Sequence, residues 1–381
     1  MKTILIFVAN YFPGFLSGGI ARSILNSTEW LCEDFRMLIV TRDRDLGSNT
    51  PYPGIQRDVW VDLGNSKVLY LEPDQINCNY LRRLVNDTPH DVLHLNSYFD
   101  SVFTIKLLLL RRLGLITTRG VLLSPRGEFG WGSLSLKYTK KRIYMELSRL
   151  AGFYKSIFWH ASSSLEAEDM VQSLKIDPAT VLKAMDLPIK VSGLALQNDQ
   201  SGERLRVVYL ARLTREKNLD GALRILQGVR MPIDFDIVGP QEDPYYWDEC
   251  TALLMQLPNN VRVTYRGVVP PELVFETLAN YDLMFLPSHG ENYGHVIAEA
   301  LSVGTRVLIS TLTPWHALES DGVGWEVDLA DVRRYSEIID MLAIQTPSER
   351  TEIRASVIEA AKKRLFNPVV LEHNRDLYLI I

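Results

Sequence analysis

Short runs of consecutive apolar residues recur along this chain, and segments with helical spacing separate most of them. Such runs predict strands buried on both faces, which is typical of parallel sheets covered by helices on each side. The predicted strands of the first half are 3–9, 37–41, 68–71, 92–95, 121–124 and 156–160. Those of the second half are 205–210, 233–238, 261–265, 283–286 and 306–310. The pattern predicts an α/β protein with two doubly wound, Rossmann-like sheets.

The chain is long enough for two domains, because its 381 residues compare with about 100–200 residues per domain. Segment 188–203 is rich in Gly, Ser, Asn, Asp and Gln, and we interpret it as a linker. It would join an N-terminal domain, 1–187, to a C-terminal domain, 204–366. We expect a last helix, about 367–381, to pack back on the N-terminal domain.

Composition argues against several classes of protein. A hydrophobic fraction of 46% and a charged fraction of 23% are ordinary globular values, and a net charge of −5 does not favour nucleic-acid binding. Cys32, Cys78 and Cys250 form no Cys-x-x-Cys pair, so we expect neither disulfides nor a cysteine metal site, and a reducing compartment fits. The apolar run 4–9 is too short for a membrane span or a signal peptide. We therefore expect a soluble, cytoplasmic protein without a targeting segment.

Positive charge is concentrated between residues 101 and 160. This stretch carries eleven Lys or Arg and two acidic residues, a net +9, so the remainder carries −14. Four of the cations fall close together: Lys137, Lys140, Lys141 and Arg142. Cations interleaved with aromatic residues suit an anionic membrane surface, and a solvated helix face is the alternative interpretation.

The most informative stretch is the loop 287–295, which lies between a predicted strand and a predicted helix. Ligands of open α/β sheets bind beyond the carboxyl ends of strands, and the first turn of a helix suits phosphate. Gly290 and Gly294 would let the backbone approach a ligand closely. Glu291 in the loop and Glu299 on the helix lie eight residues apart. The alternative interpretation is a pair of ordinary solvated glutamates.

A basic loop follows the predicted strand 205–210. Arg212 and Lys217 lie beyond the carboxyl end of that strand. A guanidinium fork and an ammonium group in this position would suit a diphosphate, whereas ordinary surface basicity explains most such residues.

A glycine-rich loop follows the first strand and contains Gly14, Gly18 and Gly19. It matches neither the Gly-x-Gly-x-x-Gly pattern of dinucleotide-binding domains nor a Walker A loop, which disfavours an oxidoreductase. A flexible turn and a ligand-facing loop are both consistent with it.

Together these elements resemble the retaining, nucleotide-sugar-dependent glycosyltransferases of family 4. Glu291 and Glu299 match the family's Glu-x7-Glu motif, and Arg212 and Lys217 match its Arg-x4-Lys pattern. The glycine pair of the first loop matches the family's N-terminal glycines, and the resemblance extends over nearly the whole chain. It implies the GT-B fold, in which two Rossmann-like domains face each other across a cleft.

The resemblance implies roles for these residues. Arg212 and Lys217 would hold the donor diphosphate, Glu299 would bind the ribose, and Glu291 would contact the donor sugar. Arg212, Lys217 and Glu291 are thus the catalytic candidates. The other donor-site candidates are Gly18, Gly19, Arg266, Gly267, Val268, Asn292, Tyr293, Gly294 and His295. The donor would be a UDP or GDP sugar, with no metal and no further cofactor.

The sequence departs from the family where many members have a histidine after the strand 121–124. Arg126 stands there, and an arginine cannot act as a general base. It could pair with a phosphate or a charged acceptor, and Glu128 lies close by in sequence. His94 is a further acceptor-side candidate, and a packed histidine is the alternative interpretation. The catalytic role of the N-terminal domain stays open.

In this family the acceptor is a glycan or a lipid-linked glycan, so peripheral contact with the inner face of a membrane through 137–155 is expected. Thr313-Pro314-Trp315 resembles a subgroup from surface-polysaccharide and lipopolysaccharide biosynthesis. The alternatives are a nucleotide-sugar epimerase, a phosphorylase and a non-catalytic sugar-nucleotide-binding protein.

Overall fold

The computed structural model describes residues 1–14, 18–130, 134, 138–190 and 202–381. The chain divides into two compact units. The first comprises Met1–Lys190 together with Pro368–Ile381, and the second comprises Val191–Asn367. Most of the predicted linker falls at 191–201, outside the described residues.

The described part of the first unit contains an eight-stranded sheet. Its strands are β1 (Lys2–Phe7), β2 (Phe35–Arg42), β3 (Trp60–Leu63), β4 (Ser66–Leu71), β5 (Val92–Asn96), β6 (Gly120–Ser124), β7 (Phe158–Ala161) and β8 (Val181–Lys183). Their order is β3-β4-β2-β1-β5-β6-β7-β8. Neighbours run parallel except for β3 and β4. The helices between them are α1 (Gly19–Trp30), α2 (Cys78–Asp87), α3 (Ile105–Arg112), α4 (Tyr138–Leu150) and α5 (Ser164–Leu174).

Both faces of this sheet are buried. Alternate residues of a strand point to opposite faces. Leu5 and Phe7 of β1 accordingly belong to one hydrophobic cluster, while Ile4 and Ile6 belong to another. The predicted covering of the sheet on both sides is therefore confirmed for the first unit.

The second unit contains, from residue 202 onward, a six-stranded parallel sheet. Its strands are β9 (Leu205–Leu210), β10 (Ile233–Val238), β11 (Val261–Gly267), β12 (Leu283–Leu286), β13 (Arg306–Ser310) and β14 (Gly324–Val327), in the order β11-β10-β9-β12-β13-β14. Its helices are α6 (Leu219–Leu226), α7 (Pro244–Leu254), α8 (Val274–Ala279), α9 (His295–Ser302), α10 (Val332–Ala343) and α11 (Pro347–Leu365).

The last helix, α12 (Pro368–Leu379), belongs to the first unit. The ring of Tyr378 packs edge-on against that of Phe35. Asn374 donates a hydrogen bond to the carbonyl oxygen of Met185, and Lys2 donates one to the carbonyl oxygen of Tyr378. Residues near the two ends of segment 1–190, Lys2 and Met185, thus hold the C-terminal helix.

Each sheet has a point at which the direction of winding reverses. The chain goes from β9 to β10 and β11 on one side, and then returns to place β12 on the other side of β9. In the first unit the same reversal falls between β1 and β5. Such switch points are where open α/β sheets bind ligands. The reversals place the loop after β1 and the loops after β9 and β12 at these points.

All eleven predicted strands are present, and the described strands include three that were not predicted, β3, β8 and β14. Each of the three lies at the edge of its sheet. Edge strands are partly exposed and need no unbroken apolar run, so the apolar pattern did not reveal them. β3 pairs with β4 in the antiparallel direction, so the first unit's sheet is parallel except at this edge.

Candidate functional site

The loops that follow β9 and β12 lie beside each other at the switch point of the second unit. The backbone N–H of His289 donates to the carbonyl oxygen of Glu216 at 2.8 Å. The side-chain amide of Asn218 donates to the carbonyl oxygen of Pro287, also at 2.8 Å. Adjacent parallel strands end at the same edge of a sheet, which brings their following loops together. The two hydrogen bonds then fix the loops relative to each other.

The same loops meet through an ion pair between two predicted site residues. Lys217 Nζ lies 2.9 Å from each carboxylate oxygen of Glu291. The Lys217 side chain is 13% exposed and the Glu291 side chain 9% exposed. Two charges with so little access to water stabilise each other, because removal of either side chain would leave the other charge buried without a partner. The fold thus joins two residues that lie 74 positions apart in the sequence.

Asn218 explains how the basic loop turns into its helix. Its backbone is left-handed, with a φ of 59°, and its side-chain oxygen accepts from the N–H of Gly221 in the first turn of α6. Asparagine adopts this conformation more readily than most residues and is a favoured helix cap. Asn218 is not among the predicted site residues, although an Asn ahead of an apolar helical pattern is a recognised start signal.

Arg212 binds a carboxylate that sequence analysis did not single out. Its Nη1 atom lies 3.2 and 3.3 Å from the two carboxylate oxygens of Glu242, in the loop after β10. The Arg212 side chain is 39% exposed and the Glu242 side chain 32% exposed. An ion pair this open to water typically contributes about 0–1 kcal/mol. Arg212 and Lys217 therefore have carboxylate partners with very different burial.

The loop after β12 ends at a glycine that begins α9. Gly294 has a φ of 81°, and a Cβ atom there would lie 2.8 Å from Ile297 Cδ1. Trp315 Nε1 donates to the carbonyl oxygen of Tyr293, and the Tyr293 ring packs against the rings of His295 and Trp315. The helix therefore starts from a loop fixed by packing, and the N-terminal end of a helix generally suits an anion.

The two motif glutamates are both covered by the protein. Glu299 lies on α9 and is 6% exposed. Glu291 is bound to Lys217, and Asn292 beside it is half-buried. Neither glutamate is the solvated surface side chain of the alternative interpretation.

The predicted base-binding segment lies at the end of the edge strand β11. Arg266 Nε donates to Asp236 Oδ2 at 2.9 Å, and the Tyr281 hydroxyl donates to the same oxygen at 2.7 Å. The carbonyl oxygen of Gly267 accepts from the N–H of Gly239. Val268 is 42% exposed. Arg266 is thus engaged with β10, and contact of this segment with a base stays a prediction.

The predicted glycine pair lies at the start of α1. Gly18 has φ 68° and ψ −140°, a backbone conformation open essentially to glycine. Ser23 Oγ lies 3.0 Å from the carbonyl oxygen of Gly19 and 2.7 Å from Asp186 Oδ2. The neighbouring residues 15–17 lie outside the described part of the chain.

His94 is a packed side chain in the first unit, 2% exposed. Its Nε2 lies 2.8 Å from Ser124 Oγ and its Nδ1 lies 3.1 Å from the Tyr378 hydroxyl oxygen. Ser124 Oγ lies 2.9 Å from His160 Nδ1, and His160 Nε2 lies 2.8 Å from the carbonyl oxygen of Ala184. A carbonyl can only accept, so His160 carries its proton on Nε2. Both histidines are internal hydrogen-bonding groups of the unit.

Arg126 forms a buried ion pair. Its Nη1 lies 2.8 Å from Asp186 Oδ1, with the two side chains 6% and 7% exposed. Its Nε donates to Asn96 Oδ1 at 3.0 Å. Burial lowers the pKa of His94 and His160, and the Arg126 charge lowers both further. The guanidinium considered for a phosphate or a charged acceptor already has a carboxylate partner from its own chain.

Glu128 is also engaged within the first unit. Its carboxylate accepts from Ser97 Oγ and from the backbone N–H groups of Tyr98 and Phe99. Burial raises the pKa of Glu128, and these hydrogen bonds act in the opposite direction. Through these hydrogen bonds Glu128 holds the loop after β5 in place.

Residues 1–14, 18–130, 134, 138–190 and 202–381 are the part of the chain that the structure describes. Among those residues, no group of three or more His, Cys, Asp or Glu side chains could hold a metal ion. None of the described helices is both long and apolar enough to cross a membrane.

The second unit matches a family of known proteins. Residues 196–364, less than half of the chain, match the family model described as glycosyl transferases group 1. The chain is also similar to an uncharacterized 41.2 kDa protein in the cps region of Klebsiella pneumoniae, with 23% identity over 158 residues. That similarity covers 41% of this chain and 42% of the relative, so it spans less than half of either protein.

Two solved structures share the fold over nearly the whole chain. Anabaena HepE, in complex with UDP and glucose, has a TM-score of 0.67 and 14% identity and covers 100% of this chain and 99% of its own. WaaG, a glycosyltransferase involved in lipopolysaccharide biosynthesis, has a TM-score of 0.65 and 12% identity, with 98% of both chains covered. The fold is GT-B, as predicted. Together, the fold and the family match support a glycosyltransferase.

Proposed function

We propose that this protein is a retaining glycosyltransferase of family 4 that moves a sugar from a nucleoside diphosphate to a hydroxyl group of a glycan or lipid-linked glycan. The observation that carries the proposal is the pairing of Lys217 with Glu291 at the switch point of the second unit. A cation and a carboxylate held 2.9 Å apart offer adjacent partners to a phosphate oxygen and to a sugar hydroxyl.

Arg212 and Lys217 bind the donor diphosphate in this proposal. Lys217 has three N–H donors, and the two carboxylate oxygens of Glu291 occupy two of them, which leaves one for a phosphate oxygen. Arg212 offers a planar fork that suits two oxygens at once. These cations and the first turn of α9 would stabilise the charge that develops on the leaving diphosphate, so the reaction needs no metal ion.

Glu291 contacts the donor sugar and Glu299 the ribose. The bond between the anomeric carbon and the phosphate oxygen breaks, and a bond to the acceptor oxygen forms on the same face of the sugar. The acceptor proton passes to the leaving phosphate oxygen. The negative Glu291 carboxylate favours the positive charge that builds up at the anomeric carbon. This scheme requires no separate base in the first unit, where His94 is buried and Arg126 is paired.

The donor base is proposed to be uracil or guanine, next to the segment from Arg266 to Val268. HepE binds UDP, which makes UDP the first nucleotide to test. The acceptor is proposed to be a glycan of a surface polysaccharide, because WaaG acts in lipopolysaccharide biosynthesis and the Klebsiella relative comes from a cps region.

Peripheral contact with an anionic membrane is a separate part of the proposal. Ile143, Leu147 and Leu150 are 55%, 60% and 78% exposed and follow one another at helical spacing along α4. Lys140 and Arg142 on the same helix are also exposed. Exposed apolar side chains flanked by cations suit a lipid surface with acidic headgroups. Lys137, the first cation of the predicted segment, lies outside the described residues.

The decisive experiment is calorimetric titration of the purified protein with UDP, GDP, ADP and their common sugar conjugates in metal-free buffer. We expect one nucleotide to bind selectively, and an Arg212→Ala, Lys217→Ala double variant to lose that binding. Arg215→Ala is the matched control, because Arg215 lies on the same loop and pairs with the exposed Glu249.

The outcomes separate the alternatives. Absence of binding to every nucleotide would contradict the proposal. Conversion of the bound sugar nucleotide without any acceptor would identify an epimerase, and binding without conversion or transfer would identify a non-catalytic binding protein.

A further inference from the structure

We infer that Glu242 occupies the Nη1 end of the Arg212 guanidinium, and that a donor diphosphate competes with it for this end, so that Glu242 lowers the affinity for the donor. The inference rests on the proposed function, because the displacing group is the diphosphate of that donor. It assigns a residue that competes with the donor to the loop after β10, which none of the sequence motifs includes.

The backbone fixes the loop after β10 against the basic loop. The N–H of Leu213 donates to the carbonyl oxygen of Pro240 at 3.0 Å, and Leu213 pairs with Gln241 as an isolated parallel bridge. The pairing of β9 with β10 therefore continues beyond the ends of both strands. A Cβ atom at Gly239 would clash with the carbonyl oxygen of Ala211, so the close approach requires glycine at this position.

The residue after Glu242 is fixed as well. The carboxylate of Asp243 accepts from the N–H groups of Tyr245 and Tyr246 and so caps α7. The Tyr246 hydroxyl donates to Asp220 Oδ1 in the first turn of α6, at 2.7 Å. Glu242 thus stands between a backbone pairing and a helix cap, and only its side chain has freedom to move.

The two ion pairs at the switch point differ in how easily they separate. The Arg212 and Glu242 side chains are 39% and 32% exposed, so water can replace each partner at little cost. The Lys217 and Glu291 side chains are 13% and 9% exposed, and separation of that pair would leave charges without solvent. A diphosphate would therefore displace Glu242 from Arg212, whereas Lys217 would keep Glu291 and add a phosphate oxygen.

Glu242 opposes donor binding in two ways. Its carboxylate accepts from the Nη1 group of Arg212, so both edges of the planar guanidinium become open to a diphosphate only when Glu242 moves away. After displacement its negative charge would stay near the bound phosphates, because the backbone on both sides of Glu242 is hydrogen-bonded, and like charges repel. Removal of that charge should therefore tighten binding rather than weaken it.

The test is calorimetric titration of wild type and Glu242→Gln with the nucleoside diphosphate that the wild type binds, at one ionic strength and without metal. Glutamine keeps the size of the side chain but not its charge. We expect affinity to rise about twofold to fivefold, the range that exposed ion pairs typically account for. Glu242→Asp keeps the charge and should remain near wild type.

Glu249→Gln is the matched control. Glu249 pairs with Arg215 at 2.6 Å, and the two side chains are 54% and 60% exposed. The substitution changes the net charge by the same amount as Glu242→Gln, close to the same loop. Its nucleotide affinity should stay at the wild-type value. Thermal unfolding of each variant establishes that the proteins compared are equally folded.

Unchanged or weaker binding in Glu242→Gln would overturn the inference, because Glu242 would then merely orient Arg212 or have no effect. Equal tightening in Glu249→Gln would overturn it as well, since the effect would come from net charge alone. If the wild type binds the nucleotide and loses it in Arg212→Ala, these results reject the role of Glu242 without touching the proposed function. If the wild type binds no nucleoside diphosphate, both fail together.

Discussion

The side-chain amide of Asn218 donates a hydrogen bond of 2.8 Å to the carbonyl oxygen of Pro287, so that one residue caps α6 and also joins the two loops of the candidate site. Lys217 precedes Asn218 directly and Glu291 follows Pro287 within the same loop. The spacing of the buried ion pair therefore depends on a neutral side chain beside it.

Replacement of Asn218 by Gly should destabilise the second unit while leaving its left-handed backbone accessible. The carbonyl oxygen of Pro287 would lose its buried partner, and we expect a loss of about 1–3 kcal/mol in the free energy of unfolding. Urea unfolding measures the loss. Asn77→Gly is the control, because Asn77 caps α2 by accepting from the N–H of Tyr80 and does not join two loops. In this control the free energy of unfolding should fall by only about a few tenths of a kcal/mol. Equal losses would contradict the joining role.

Replacement of Glu291 by Ala should abolish transfer. Lys217 loses its carboxylate partner in this variant but keeps its N–H donors for the diphosphate, so nucleotide binding should persist. The carboxylate acts on the sugar in the proposed mechanism, and loss of one electrostatic stabiliser typically lowers turnover about a hundredfold or more. Sugar transfer assays and nucleotide titrations separate the two quantities. Near-wild-type turnover in this variant would show that Glu291 is not catalytic.

Replacement of Gly294 by Ala should reduce both stability and donor binding. Alanine would be strained at the Gly294 φ of 81°, and its methyl group would lie 2.8 Å from Ile297 Cδ1. We expect the free energy of unfolding to fall by about 1–3 kcal/mol. Gly322→Ala is the control, since Gly322 has a φ of 72° and nothing within 4 Å of the added Cβ. The difference between the two variants in urea unfolding measures the crowding at α9. No difference would mean that the backbone conformation alone accounts for the cost.

Stability of the first unit should fall as the pH drops below about 6.5, the ordinary pKa of histidine. Burial holds the pKa of His94 and His160 below that value, so the unfolded chain binds protons that the folded chain does not. Their contribution is complete above the unfolded pKa and is lost as the pH falls toward the folded pKa. Each histidine lowers the free energy of unfolding by up to about 1.4 kcal/mol per pH unit.

Chemical unfolding at a series of pH values tests this dependence. His94→Gln removes one of the two titrating groups and should have a shallower slope than the wild type below about pH 6.5. An unchanged slope would exclude His94 as a source of the acid sensitivity.

Charge reversal at Lys140 and Arg142 should abolish binding to vesicles that contain anionic lipids. Each cation near such a surface contributes about 1 kcal/mol, and the attraction weakens as salt is added. Co-sedimentation with vesicles of neutral and of acidic composition measures it. Reversal at Arg333 and Lys362, two exposed cations of the second unit, is the control. Equal binding by all variants, or none by the wild type, would reject membrane contact through α4.

Much of the candidate site could be predicted from local sequence. Glu291, Arg212 and Lys217 lie in the loops that follow two apolar strands, and such loops lie at the edge of a sheet where ligands bind. Their partners could not be found in the same way. Glu242 lies 30 residues from Arg212, and nothing in its own neighbourhood marks it as a counterion.

The first unit illustrates the opposite case. Arg126 and His94 lie near the carboxyl ends of β6 and β5, and the sequence makes both of them candidates for contact with an acceptor. Asp186, 60 residues after Arg126, neutralises the guanidinium instead. The hydroxyl group of Tyr378, 284 residues after His94, forms a hydrogen bond with the imidazole Nδ1. Position at a strand end therefore did not distinguish a ligand-facing side chain from an internally paired one.

The sequence by itself determined the two doubly wound sheets and the loops that carry the charged motifs, because apolar runs and helical spacing are local patterns that report burial directly. Only the tertiary structure decided the order of the strands, the pairing of Lys217 with Glu291 and of Arg212 with Glu242, and the burial of His94. The physical reason is that strand order depends on how each connection crosses the sheet, and ion-pair partners are chosen by distance in space. Neither quantity leaves a periodic trace along the chain.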